Sequence, residues 1–167
     1  MTGRPAIIDS SEATLVVNEL EQLGINSEYR VSLAWVSKAD LDLHVENLET
    51  GEIVDYRNIE SDDGTITLDA DNPGGDMPEG KTKHVENISF NGPAGGSFAV
   101  YVNNHDANGD EDKIPFTVVT KVGRDTLVFE DSWDINRRGS VRKNDLYKMM
   151  FITIMDWEGQ VSDETVR

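Results

Sequence analysis

The 167-residue sequence predicts an all-β fold, an antiparallel β-sandwich of about seven to nine short strands. Three observations predict it. From Val31 onward apolar and polar residues alternate with a period of two, the signature of strands with one face in a core. Clusters of Gly, Asn, Asp and Pro cut this pattern into short pieces, as turns do. The composition, 37% hydrophobic with 14 Gly, 5 Pro and no Cys, is that of a folded chain large enough for one core and lacking a disulfide framework.

Before the alternation begins, Asp9 to Glu12 reads as a helix cap followed three positions later by Glu, and Ala13, Val16, Val17, Leu20 and Leu23 recur at helical spacing up to Gly24. The same stretch holds Thr14, Val16 and Val17, which also suit an edge strand, so a short N-terminal helix and a strand both stand at this point. The strands expected next are Val31–Trp35, Leu41–Val45, Gly51–Tyr56, Thr65–Leu68, Asn87–Phe90, Ser97–Val102 and Phe116–Val122. Thr126–Glu130 and the apolar run Leu146–Met155 extend the pattern. These divide the chain into an N-terminal arm or helix at 1–29, a sandwich at 30–125 and a C-terminal extension with added strands at 126–167.

Charge is distributed unevenly. The net charge is −17, and residues 40–112 alone carry 18 acidic and 3 basic side chains. This balance excludes a nucleic-acid partner held by phosphate neutralisation. No apolar run reaches membrane-spanning length and no signal-peptide core precedes Asp9, so no membrane insertion is expected. Self-repulsion concentrated in one segment disfavours the compact state unless it is solvated on an acidic surface or neutralised by cations.

Paired carboxylates favour the cation. In a strand, Asp40 and Asp42 project to one side of Asp40-Leu41-Asp42-Leu43-His44-Val45 while Leu41, Leu43 and Val45 enter the core. Asp69 and Asp71 repeat the spacing at another strand end, and Glu86 opens the next strand. With the Asn72 amide beside Asp71 and Asn87 beside Glu86, three strand ends meeting at one rim, those of Asp40 and Asp42, Asp69 and Asp71, and Glu86, could supply five or more oxygen ligands, a set suited to Ca²⁺. The alternatives are that Asp40 and Asp71 merely cap turns, or that the metal is catalytic. His44, His84 and His105 are scattered in the sequence, which argues against zinc. Asn104 to Asp112 looks like the start of an EF-hand loop, but its first position is Asn and its twelfth is Pro115, so a hairpin loop is the better reading. Asn136 to Lys143 is the one basic cluster; its four cations could meet an anionic partner, but a turn that balances the acidic domain is the better reading.

Taken in order, Trp35, Ala39 to Val45, Gly51, Gly64, Leu68 to Asn72, Val85 to Ile88, Pro93 to Asn104 and Pro115 to Val118 resemble the YfaP-like family of bacterial β-sandwich domains. The resemblance spans residues 30–122. The chain is also distantly similar to the tellurite-resistance TerD domain, a calcium-binding sandwich in which a D-L-D strand and a later acidic loop hold the metal. That similarity implies the same five ligands, although residues 74–83, with Lys81 and Lys83, depart from its loop.

No G-x-S-x-G elbow and no phosphate-binding loop is present, so no enzyme is expected. The expected role is a structural or interaction subunit built on a calcium-stabilised sandwich, docked through its terminal arms to protein subunits of a larger assembly such as a virion, tail or surface structure. A calcium-dependent carbohydrate- or peptide-binding module is the alternative, and a metal-dependent hydrolase a more distant one. Trp35, Trp133, Trp157, Tyr56, Tyr101 and Tyr147 are the aromatics such a glycan or peptide site would draw on, and a core of this size uses as many.

Overall fold

The computed structural model describes residues 29–91, 97–106, 108, 113–122, 125–134, 152–156 and 160–162. Ten strands occur among them: β1 (Tyr29–Trp35), β2 (Asp40–Asn47), β3 (Ile53–Val54), β4 (Ile66–Ala70), β5 (His84–Phe90), β6 (Ser97–Asp106), β7 (Lys113–Val122), β8 (Asp125–Asp134), β9 (Ile152–Asp156) and β10 (Gln160–Ser162). They form two five-stranded antiparallel sheets, β4-β5-β1-β7-β8 and β10-β9-β6-β2-β3. The all-β sandwich expected from the alternation is the fold observed. The stretch read as a helix at 11–23 and the basic cluster at 136–143 lie outside the described residues.

Period two becomes the core directly. Val31, Leu33 and Trp35 of β1 face Leu41, Leu43 and Val45 of β2 across the sandwich, all at most 1% exposed, with Ile88, Phe98, Val100, Val102, Ile114 and Val118 completing the layer. Burying a side chain of this kind contributes about 1.5–3 kcal/mol, so the interdigitated layer holds the two sheets together.

Strand pairing follows chain order only in the hairpins β2-β3, β4-β5, β7-β8 and β9-β10. All other connections cross between sheets. One of these joins β6 to β7, so the strands on either side of the segment after Asn104 lie in different sheets and do not pair as the expected hairpin. Asn104 itself lies within β6, opposite Leu41 and fully buried.

Three connections meet at this end: β1-β2, β4-β5 and β6-β7. Their shared anchor is the backbone at Lys38 and Ala39. Lys38 O accepts from Gly75 N at 2.8 Å and from Asn108 Nδ2 at 2.9 Å, and Ala39 O accepts from Trp35 Nε1 at 2.7 Å. The approach requires a glycine at 74, whose φ is +66° and where a Cβ would stand 2.3 Å from Ala39 O.

Candidate metal centre

At this end of the sandwich, Asp42 of β2, Asp71 just after β4 and Glu86 of β5 each offer an oxygen within 4.8 Å of the others, a group that can hold a metal ion. Asp42 and Glu86 are buried, and Asp71 is exposed. Each arrives by a different local device.

Glu86 lies opposite Leu33 in the β1-β5 register, on the core face of its sheet. It reaches the other sheet because β3 pairs with β2 only at Val45 and Glu46, leaving the edge of β2 open beyond them. Glu86 Oε2 accepts from the Leu43 N–H at 2.7 Å there, and Oε1 accepts from Asn72 N at 3.0 Å. Burial pushes the Glu86 carboxyl well above the ordinary range against these two bonds, and the charges of Asp42 and Asp71 add to the push.

Asp42 is on the outer side of β2, with Leu41 and Leu43 pointing inward as the alternation requires. Burial, then the charge of Asp40, push its carboxyl up to about 6, against the pull of His44, His105 and Asn103. Oδ2 lies 3.3 Å from Asn103 Nδ2, the donor directly opposite in β6, and 3.2 Å from His105 Nδ1.

Of the five candidates from the sequence, Asp42, Asp71 and Glu86 therefore come together. Asp40 is outside the group and acts on Asp42 through its charge. Asp69 turns elsewhere, accepting a hydrogen bond from Ser89 Oγ at 2.8 Å. A β-bulge is the cause: Leu68 pairs with Ile88 and Ala70 with Asn87, so Asp69 is an extra residue and the side alternation that joined it to Asp71 is interrupted. A second bulge has the opposite effect. Leu41 pairs with Asn104 and Asp40 with Asp106, leaving His105 as the extra residue, and its ring swings to Asp42.

Of the three histidines dispersed along the chain, the fold brings two, His44 and His105, to one neighbour, Tyr56. His84 stacks on Trp35 at 5.3 Å and meets Asn72 Oδ1 through Nδ1 at 3.0 Å, steadying the loop that carries Asp71. His44 and His105 both pack edge-on against Tyr56, at 6.4 and 5.1 Å between ring centroids. His44 Nδ1 lies 3.1 Å from Asp55 Oδ2, both side chains being buried. Asp55 also binds the Arg57 guanidinium and, through Oδ1, Arg57 N at 2.8 Å. Burial pushes the Asp55 carboxyl up, but the bonds from His44 and Arg57 outweigh it and hold the group well below the usual range. The sequence reading missed Asp55, Asn103 and the roles of His44 and His105. For His44 a signal existed, since it continues the Asp40–Asp42 face of β2; for the others only the strand register supplies one.

Chemically, three carboxylates with no cysteine and no histidine among them form a hard-oxygen donor set. Comparison of the chain with known protein families, with curated proteins and with solved structures gives no match. Among the described residues no helix is long and apolar enough to cross a membrane.

Proposed function

We propose that this protein is a non-enzymatic structural or interaction module whose two sheets are clamped by Ca²⁺ bound to Asp42, Asp71 and Glu86. One observation carries the reading: three carboxylates from three separate strands or strand ends converge within 4.8 Å, two of them out of water. Like charges so placed repel strongly and lose hydration, which a divalent cation reverses. Oxygen-only ligation of irregular geometry suits Ca²⁺, which takes six to eight oxygens, better than Zn²⁺ or the strictly octahedral Mg²⁺. Carboxylates fixed by backbone donors, as Glu86 is on both oxygens, suit a static ligand rather than a proton-transferring acid or base. The resemblance to a calcium-binding sandwich points the same way. As a subunit, the module would dock to other proteins of a larger assembly. β8, a ten-residue strand at the edge of its sheet among the described residues, is a surface that a neighbour's strand can extend.

Thermal melts in Ca²⁺ and in chelator test the clamp. At a hundredfold excess over Kd the ion should add about 2.7 kcal/mol, or roughly 5–10 °C in a domain of this size. The combined Asp42→Ala and Asp71→Ala substitutions should abolish the difference. Coincident melts of the wild-type protein in the two conditions would overturn the reading.

The alternative of a calcium-dependent glycan site draws on the exposure of Asp71, which leaves one side of the ion open. No aromatic residue occurs between Asp69 and Asn87 to stack a sugar ring beside it, so the structural role is preferred. A chelator-sensitive hit on a glycan array, lost in Asp71→Ala, would reverse that order.

A further inference from the structure

Two residues outside the group of three carboxylates, Asn103 and His105, contact one oxygen of Asp42. Resting on the calcium reading above, we propose that Asn103 and His105 are positioning residues: they grip the Asp42 carboxylate by Oδ2 and so present Oδ1 to the ion, in the manner of an outer layer around a metal.

Asp42 is 2% exposed, so water does not orient its carboxylate. Its orientation is set by two neutral-amide and imidazole donors on one oxygen, Asn103 Nδ2 at 3.3 Å and His105 Nδ1 at 3.2 Å. Both come from β6, yet by different routes. Asn103 is the direct cross-strand partner of Asp42. His105 would alternate to the same side two residues further along, but regular pairing would carry it away toward Asp40; the bulge between Asn104 and Asp106 turns it back. Bulges of this kind re-aim side chains at sites, at the expense of ladder hydrogen bonds.

His105 is itself held. Its ring abuts Tyr56 at 5.1 Å and 80°, and Tyr56 is packed in turn against His44 and beneath the Arg57 guanidinium, 5.3 Å from the ring centroid. Asp55 ties His44 and Arg57 together from the far side. The sequence Asp42, His105, Tyr56, His44, Asp55 is thus a continuous packed row along the outer face of β2, running from the centre to the turn that follows β3. Such outer partners commonly contribute ten- to hundredfold in metal affinity without touching the metal.

The test uses the full chain, with Ca²⁺ followed by titration calorimetry and Tb³⁺ by luminescence, whose lifetimes in H₂O and D₂O count the waters on the bound ion. Asn103→Leu and His105→Phe should each weaken Ca²⁺ binding ten- to hundredfold. They should also add about one water to bound Tb³⁺ as Asp42 lets go. His105→Gln, which keeps a donor, should restore both readouts toward wild type, an outcome that lost packing alone does not produce. Metal-free melts report whether each variant folds, and if His105→Phe does not, Asn103→Leu and His105→Gln carry the comparison. Wild-type affinity and hydration in Asn103→Leu and His105→Phe overturn the positioning role while leaving the centre intact. A wild-type protein that binds neither Ca²⁺ nor Tb³⁺ overturns the centre, and the positioning role with it.

Discussion

Asp42 and Asp55 are both aspartates on or beside β2, both 2% exposed, and their environments drive them in opposite directions. Asp42 has burial and a neighbouring carboxylate against it and is pushed up to about 6. A carboxyl raised in the folded state favours folding below its unfolded value of 3.8 and loses that contribution as pH rises through about 6. At about 1.4 kcal/mol per pKa unit, ionised Asp42 costs the metal-free fold on the order of 3 kcal/mol. The metal-free protein should therefore melt at a higher temperature at pH 5 than at pH 7.5, with Glu86 acting in the same direction, and Asp42→Asn should reduce that dependence while raising metal-free stability at pH 7.5. Saturating Ca²⁺ should remove the same slope, because the ion favours the ionised carboxylate. Asp55 has the reverse sign: held low, it stabilises the fold above its unfolded value and loses that contribution only as acid protonates it. Asp55→Asn should cost about 2 kcal/mol at pH 7 in denaturant melts, since Arg57 loses a charge-assisted bond and a buried acceptor is replaced by an amide.

Among the described residues, a tight constraint lies where the β4-β5 connection crosses the β1-β2 arch. Gly74 and Gly75 are adjacent and both have positive φ, at +66° and +86°, yet their surroundings differ. A Cβ on Gly75 meets nothing within 4 Å, whereas one on Gly74 would stand 2.3 Å from Ala39 O and 2.7 Å from Lys38 O. Those carbonyls cannot retreat without breaking the bonds from Trp35 Nε1, Gly75 N and Asn108 Nδ2. Gly75→Ala is therefore expected to cost about 1 kcal/mol, the left-handed penalty alone. Gly74→Ala should cost appreciably more, about 2–4 kcal/mol, and weaken Ca²⁺ binding by displacing Asp71 and Asn72. Equal melting temperatures for the two variants would show that the crossing does not constrain this end of the sandwich.

For the whole molecule, the question is whether Ca²⁺ acts at a site or only screens a net charge of −17. Screening depends on ionic strength, with a Debye length of about 10 Å at 0.1 M, and is indifferent to which salt supplies it. A site distinguishes ions by size and ligand preference. Melts in CaCl₂, MgCl₂ and NaCl at one matched ionic strength are expected to give a large upward shift only for calcium. Superimposable shifts in all three salts would reduce the acidic segment to a solvated surface, the simplest reading of its composition. Native mass measurement of the assembled particle addresses the docking role in the same way, a lone 18.6 kDa species at working concentration arguing against a subunit.

The fold class, the inward residues and the carboxylate-bearing strand ends were legible in the sequence, because these follow from local rules. Side chains two apart share a face of a strand, so Leu41, Leu43 and Val45 had to be buried together, with Asp40, Asp42 and His44 on the opposite side. The concentration of acid in 40–112 was legible for the same reason: charge is a property of composition. Tertiary structure alone decided which carboxylates meet. Asp69 departs from simple alternation because it is the extra residue of a bulge, a second bulge brings His105 back to Asp42, and a bulge is set by how two strands register against each other. Glu86 bonds to Leu43, 43 positions away and in the other sheet, only because β3 is too short to cover the edge of β2. That partition of strands between sheets is fixed by the packing of the two inner faces, a long-range condition that no local period encodes.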